Sequence, residues 1–486
     1  MAVTPTRSDA FVTSLTDSLP PILESGSHPV LGSRWELMVD RRFVARMRGA
    51  ALKLAQPERR EVALTFDAPW ESNGAFPKSV VQDGATVRLY YRACSPDPED
   101  SSLQGSAMAV SHDGGLSFEK QVLNRVKWDG SADNNLLSMA RPPHMPPVFR
   151  DSNPDCVPEE RFKGISAHWR KAYAMGSPDG IEWRMLGAGP LEMPGTFDTV
   201  NTAFWDSSID RYRSYTRFFY HLDENTVEAN VLGQDATVVR AVQSSTSRDF
   251  LRWTRPVPNR YRDRLGETQL YTNATMLCPD ASRLYLAFPN RYVQHRMIKP
   301  EHGHPGVNDA LFMCSRDGVT WSRFSEAWVR PGLDPHNWTD RNNYPVWGIV
   351  RTSPTEWSMY ITEHYRNKSL PGRIRRLSLR PHGFVSVHTD ANGGGFLSRP
   401  MIFGRGDMRI NFSTSAAGWI RVGVIGADGT EVPGYGLNDM DEIYGDDLDR
   451  IIRWRHGKSL GSLATGSAHR LLFALREADL FALRMA

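Results

Sequence analysis

Cysteine is scarce in this chain: the four present, Cys94, Cys156, Cys278 and Cys314, stand far apart and form no C-x-x-C pair. That spacing speaks against a zinc site and against a disulfide scaffold. No run of about 18 apolar residues occurs, so no membrane-spanning helix is read. The first 27 residues are polar and rich in Pro and Ser, without the apolar stretch of a secretory signal. Charge of one sign is lacking too. The 58 Lys and Arg against 55 Asp and Glu leave a net +3 over 486 residues, too little to argue for nucleic acid or a membrane surface as partner. A sustained helical period is nearly absent. The expectation is a cytoplasmic protein with no cofactor, no metal site, and no nucleic-acid or membrane partner; homo-oligomerisation stays open.

What the chain does have is a repeated phrase. Ser111-His-Asp113-Gly114-Gly115-Leu-Ser-Phe118, Ser177-Pro-Asp179-Gly180-Ile-Glu-Trp183, Ser247-Arg-Asp249-Phe250-Leu-Arg-Trp253 and Ser315-Arg-Asp317-Gly318-Val-Thr-Trp321 have serines 66, 70 and 68 residues apart (111 to 177, 177 to 247, 247 to 315). A unit of that length fits a four-stranded propeller blade with generous loops. The Asp is suited to accept hydrogen bonds across a tight turn, Gly supplies a permissive backbone, and the aromatic packs between sheets, so the phrase reads as a folding device.

The same grammar precedes each phrase: an apolar strand, a polar turn, then two further strands. In the first unit these are Ser79-Val-Val81, the turn at Gln82-Asp83-Gly84, Val87–Arg92 and Ala107–Val110. A decayed fifth copy runs from Val346 to Phe384. The reading is an all-β chain, with a polar N-terminal extension at 1–29, a five-bladed propeller with an N-terminal hairpin over 30–388 and a β-sandwich over 389–486. Asn392-Gly-Gly-Gly395 is expected to be a linker. The segments Met408–Phe412, Trp419–Ile425, Ile451–Trp454 and Arg470–Leu475 are expected to be short strands.

The first phrase fits the Asp-box of sialidases, a piece of blade scaffolding that occurs with unrelated functions. The blade rhythm, closing after five copies and followed by a sandwich, resembles the superfamily of glycoside hydrolase families 32 and 43. The W-M-N-D-P-like start, R-D-P and E-C of family 32 are missing; Arg150-Asp151-Ser152 only mimics R-D-P and falls at a blade turn. The resemblance implies a carbohydrate substrate held at the central mouth. In such propellers the inner strand starts at the mouth and the second strand returns to it.

That register nominates the residues opening each inner strand and closing each second strand. Glu71, Asp198, Glu267 and Asp340 come from different blades, and glycoside hydrolysis needs two opposed carboxyl groups. Trp70, Tyr271 and Trp338 offer stacking surfaces. Arg92, Arg217 and Arg291 occupy equivalent positions, and guanidinium groups suit a carboxylate or phosphate on the substrate. Arg141, His144, His168, Asn273 and Arg341 complete the expected substrate contacts. His144, His168 and His364 are further candidates for a general base. The leading reading is a glycoside hydrolase acting on an oligosaccharide, an anionic one being compatible with the arginines. The alternatives are a uronide lyase, with arginine neutralising the carboxylate and His or Tyr as base, and a non-catalytic sugar-binding propeller.

Overall fold

The computed structural model describes residues 15–16, 22, 28–72, 74–94, 104–139, 146–168, 170–197, 200–221, 227–228, 238–262 and 268–486. The described elements are strands and short 3-10 turns. They divide into two compact units, residues 56–278 with 282–379, and residues 1–55 with 279–281 and 380–486.

The first unit is the propeller. Blade 1 orders Phe76–Asp83, Thr86–Cys94, Gln104–Ser111 and Leu136–Ser138, and blade 2 orders Phe149–Arg150, Phe162–His168, Lys171–Ser177 and Arg184–Met185. Blade 3 runs Thr202–Asp206, Arg211–His221, Val238–Ser247 and Val257–Pro258. Blade 4 runs Met276–Leu277, Tyr285–Ala287, Met313–Ser315 and Thr320–Arg323, with Arg260–Tyr261 added at its edge. A separate two-stranded ribbon, Asn290–Val293 with Val307–Ala310, lies between the second and third strands of blade 4 in sequence. Blade 5 takes Val350–Ser353, Glu356–Glu363 and Arg373–Leu379 from the end of the unit and its outermost strand, Glu58–Thr65, from the beginning. That pairing closes the ring and gives blade 5 its fourth strand.

Each repeated phrase is a turn after the third strand of its blade, Met313–Ser315 being that strand in blade 4. The serine hydroxyl donates to the Asp carboxylate (2.6 Å for Ser111 to Asp113, 3.1 Å for Ser177 to Asp179), which also accepts backbone N–H groups two to four residues on. Burial works to raise the Asp113 and Asp249 carboxyls, but these donors outweigh it and hold both down to about 2. The glycine binds the neighbouring blade: Tyr360 of blade 5 donates to the Gly115 carbonyl (2.6 Å) and Tyr215 of blade 3 to that of Gly318 (2.9 Å). At Gly180, φ is +80° and a Cβ would stand 2.4 Å from the Tyr90 hydroxyl of blade 1, so no larger residue fits there without displacement. The third copy has Phe250 in the same left-handed conformation (φ 65°), fully buried against Phe149 of blade 2 and Tyr212.

The second unit is built on two 18-residue strands, Met408–Ile425 and Ala468–Met485, which pair along their length in a ten-stranded sheet. A bulge between Thr414 and Trp419 interrupts the ladder, which is why the sequence reads two strands where one long strand runs. The chain's early strands, Val30–Leu31, Glu36–Leu37, Val44–Arg48 and Ala50–Leu54, join this sheet, although the repeat rhythm groups them with the propeller. Val385–Thr389 joins it too, so the change of unit falls at Leu379 to Arg380 and not at 388. The glycines expected to form a linker enter the buried strand Gly394–Ser398. A Cβ on Gly394 would stand 2.3 Å from the backbone of Gly49, so the missing side chain serves close approach and not flexibility. Its core includes Phe396 stacked on Phe473 at 4.6 Å, with Ile410, Phe412, Val422 and Leu480.

Candidate functional site at the propeller mouth

Residues that open inner strands and residues that close second strands meet in one aromatic and arginine-rich constellation. Phe76, first residue of blade 1, lies edge-on to Tyr344 (5.2 Å between centroids), in the segment leading into blade 5, and to Tyr365 (5.8 Å), which follows that blade's second strand. Tyr344 adjoins Tyr271 ahead of blade 4 (5.6 Å), and Tyr271 adjoins Tyr292 of the ribbon (5.8 Å). Arginines sit against these rings: Arg240 is 4.9 Å from the Tyr271 centroid, Arg217 5.4 Å from the same ring, and Arg92 donates to the Tyr365 hydroxyl at 2.9 Å. Burial holds the Tyr344 phenol well above its ordinary pKa, so it is neutral at physiological pH.

Among the described residues the carboxylate of this constellation is Asp340, one residue before Arg341. His302, at the end of a 3-10 turn in the ribbon, donates Nε2–H to Asp340 Oδ1 at 2.5 Å, and Arg341 Nε stands 3.2 Å from Oδ2. Burial works to raise Asp340, but the His302 hydrogen bond and the charges of Arg341 and Arg366 outweigh it, holding the group ionised below the usual carboxylate range. Beside it, burial and Arg366 push His304 down, so its neutral Nε2 accepts from Arg366 Nη1 at 3.1 Å. An asparagine framework fixes the loops: Asn308 Oδ1 accepts the Arg341 N–H (2.6 Å), Asn343 donates to the Asn308 carbonyl (2.9 Å), and Asn290 donates to the Asn342 and Asn343 carbonyls. It holds Arg341, Asn343, His364 and Arg366 at φ between 56° and 61°, a conformation that costs non-glycine residues free energy and clusters at ligand sites.

A second knot lies alongside in blade 5. Glu363 is fully buried among Arg59, Arg373 and Arg375 (3.1, 2.7 and 2.9 Å), and His364 donates to Asp334 at 2.7 Å. Glu363 has no ligand-facing surface, and its pKa is lowered because the arginines outweigh its burial.

Of the residues nominated from sequence, Arg92, Arg217, Tyr271, Asp340 and Arg341 are brought together. Asp198, Glu267, Arg141 and His144 lie outside the described residues. Others are turned to different work. The Glu71 side chain is fully buried, bonded to Lys120 (2.6 Å), the Tyr91 hydroxyl and the Ala68 N–H; all of its partners belong to blade 1 and the segment before it, because the strand register of Tyr91 draws the carboxylate into the blade. Trp70 packs on the blade 1 core and donates to Asn135 at 2.8 Å. The Trp338 indole donates to the Gly332 carbonyl of its own loop. Arg291 is committed to Asp309 across the ribbon. Asn273 ties blade 3 to blade 4, accepting from Thr202 (2.9 Å) and donating to the Val200 carbonyl (3.1 Å). His168 ends the second strand of blade 2 opposite Lys171, partly exposed. Asp151 of the R-D-P mimic is buried with Lys163 and Tyr212 (2.8 and 2.6 Å), at a turn as its register implies.

The residues missed are Arg240, Tyr292, His302, His304, Tyr365 and Arg366. Arg240 opens a third strand, and extending the register to third-strand starts finds it. The histidines sit in the ribbon inserted in blade 4, which lies outside the repeated strand grammar and leaves no repeat signal. Among the described residues no group of three or more His, Cys, Asp or Glu is arranged to hold a metal ion.

Fold and mouth together define a five-bladed β-propeller with an arginine-, tyrosine- and carboxylate-lined centre. No family model and no curated protein matches the chain. Solved structures similar to it include glycoside hydrolases. One is the catalytic domain of a family 62 α-L-arabinofuranosidase from Coprinopsis cinerea, 12% identical, with a TM-score of 0.40, covering 67% of this chain and 97% of that one. Another is a glycosyl hydrolase from Bacteroides ovatus, 14% identical at TM-score 0.40, covering 72% and 94%. A third is an N-acetylgalactosamine deacetylase from F. plautii in complex with blood group B trisaccharide, 12% identical at TM-score 0.43, covering 68% and 95%.

Proposed function

We propose that the protein is a carbohydrate-active enzyme that hydrolyses glycosidic bonds of an oligosaccharide at the propeller mouth. The observation that carries this reading is the meeting of an ionised, buried Asp340 with the aromatic cluster of Tyr271, Tyr292 and Tyr344 and with arginines from three blades. Tyr292, the half-buried ring of that cluster, suits the apolar face of a sugar ring. A carboxylate kept ionised suits the base or nucleophile of glycoside hydrolysis, and the proton donor must be a second carboxyl across the scissile bond. Asp198 and Glu267, which precede the inner strands of blades 3 and 4, are the residues we assign to that second role.

The test is an oligosaccharide panel assayed for new reducing ends with wild type, Asp340→Asn, Asp198→Asn and Glu267→Gln. Hydrolysis by wild type, reduced about 10²-fold or more by Asp340→Asn and by one of the other two, supports the reading. An ultraviolet-absorbing unsaturated product, or tight binding with no cleavage, overturns it.

A further inference from the structure

We propose that Arg341 and Arg366 form an oxyanion subsite beside Asp340, taking a carboxylate or phosphate group. The inference rests on the glycosidase reading for its place in the reaction, but its binding chemistry is independent of that reading.

The observations are of charge and of unused donors. Both guanidinium groups act electrostatically on Asp340, which among the described residues is the one carboxylate that Arg341 contacts. Among the described residues Arg366 has no carboxylate within ion-pair distance. Its hydrogen-bond acceptor is the neutral His304, and its Nε is buried without a partner. Arg341 approaches Asp340 through Nε, which leaves its terminal nitrogens for a ligand, and its side chain is 32% exposed. Two permanent cations thus share one anion in a half-buried setting, where an unmatched charge is costly unless a ligand matches it. Both arginines are held at positive φ by neighbours that anchor their loops, so the donors are pre-placed. Arg366 also lies over the Tyr365 ring (5.7 Å), beside the mouth's aromatic wall, so an anion here is within reach of a sugar lying on that wall.

The experiment titrates the full chain with D-glucuronate, inorganic phosphate and D-glucose by calorimetry, in wild type, Arg341→Met, Arg366→Met and Arg366→Lys. The expected result is that at least one anion binds about tenfold or more tighter than glucose, that both Met variants lose about tenfold or more, and that Arg366→Lys loses less. Preference for glucuronate identifies an anion carried on the sugar; preference for phosphate identifies a free one. As a measurement on unaltered protein, dicarbonyl modification of Arg366, followed by mass spectrometry, is slowed by the bound anion and not by glucose. Absence of anion binding, unchanged binding in folded Met variants, or no protection overturns the subsite. Cleavage of neutral oligosaccharides without anion binding removes the subsite and leaves the glycosidase reading; anion binding without cleavage of any glycoside does the reverse.

Discussion

Asp340 and Glu71 are both buried carboxylates ahead of an inner strand, and their neighbours give them opposite uses. Asp340 shares the mouth with tyrosines and arginines; Glu71 is neutralised by Lys120 inside blade 1. Because Asp340 is held below the ordinary carboxylate range, it stays ionised until the pH falls below that range. The acid limb of kcat/KM assigned to this group is therefore expected below the ordinary carboxylate range, and a limb from Asp340 above that range in a pH–rate profile contradicts the assignment. Lys120→Met strands the Glu71 charge in the core and is expected to cost about 3–5 kcal/mol in urea unfolding, with hydrolysis retained while the protein is folded. Nothing local in the sequence separates the two, since Lys120 lies 49 residues after Glu71 and only the folded blade brings it near.

At the scale of the element, the repeated turn carries stability. Gly180→Ala forces a Cβ into a left-handed turn and against Tyr90, and is expected to destabilise by more than about 1 kcal/mol in chemical denaturation. Asp113 and Asp249 have folded pKa values depressed to about 2, so their contribution is complete above the unfolded value near 4 and lost as pH falls through about 2. Asp249→Asn should flatten the pH dependence of stability between about pH 4 and 2; an unchanged slope contradicts the role. These turns were legible because Ser, Asp and Gly act within a few residues of chain. The third copy, with Phe250 for glycine, kept the turn because burial between two blades offsets its backbone strain. The glycines at 392–395 misled for the complementary reason: composition does not distinguish a flexible glycine from one pressed against another backbone.

Over the whole molecule, blade number and order were readable because each blade repeats a local pattern. Which strands complete the ring, and which join the second unit, depends on partners hundreds of residues away. Val62, opposite Arg375 in the closing strand, tests the closure. Val62→Pro removes a ladder donor and is expected to lower stability on the order of 1–3 kcal/mol, seen as a single unfolding transition at lower urea; an unaffected midpoint argues against the strand's role.

That closure also sets a timetable for synthesis. Thr65 leaves the ribosome about 300 residues before its partner Arg373, a delay of roughly 15–60 s at ordinary elongation rates. Through that interval Glu58–Thr65 has no blade to join, and the last blade stays incomplete until Arg373–Leu379 has been made. The nascent protein therefore has a window in which an uncommitted strand can pair with another chain, and slower translation lengthens it.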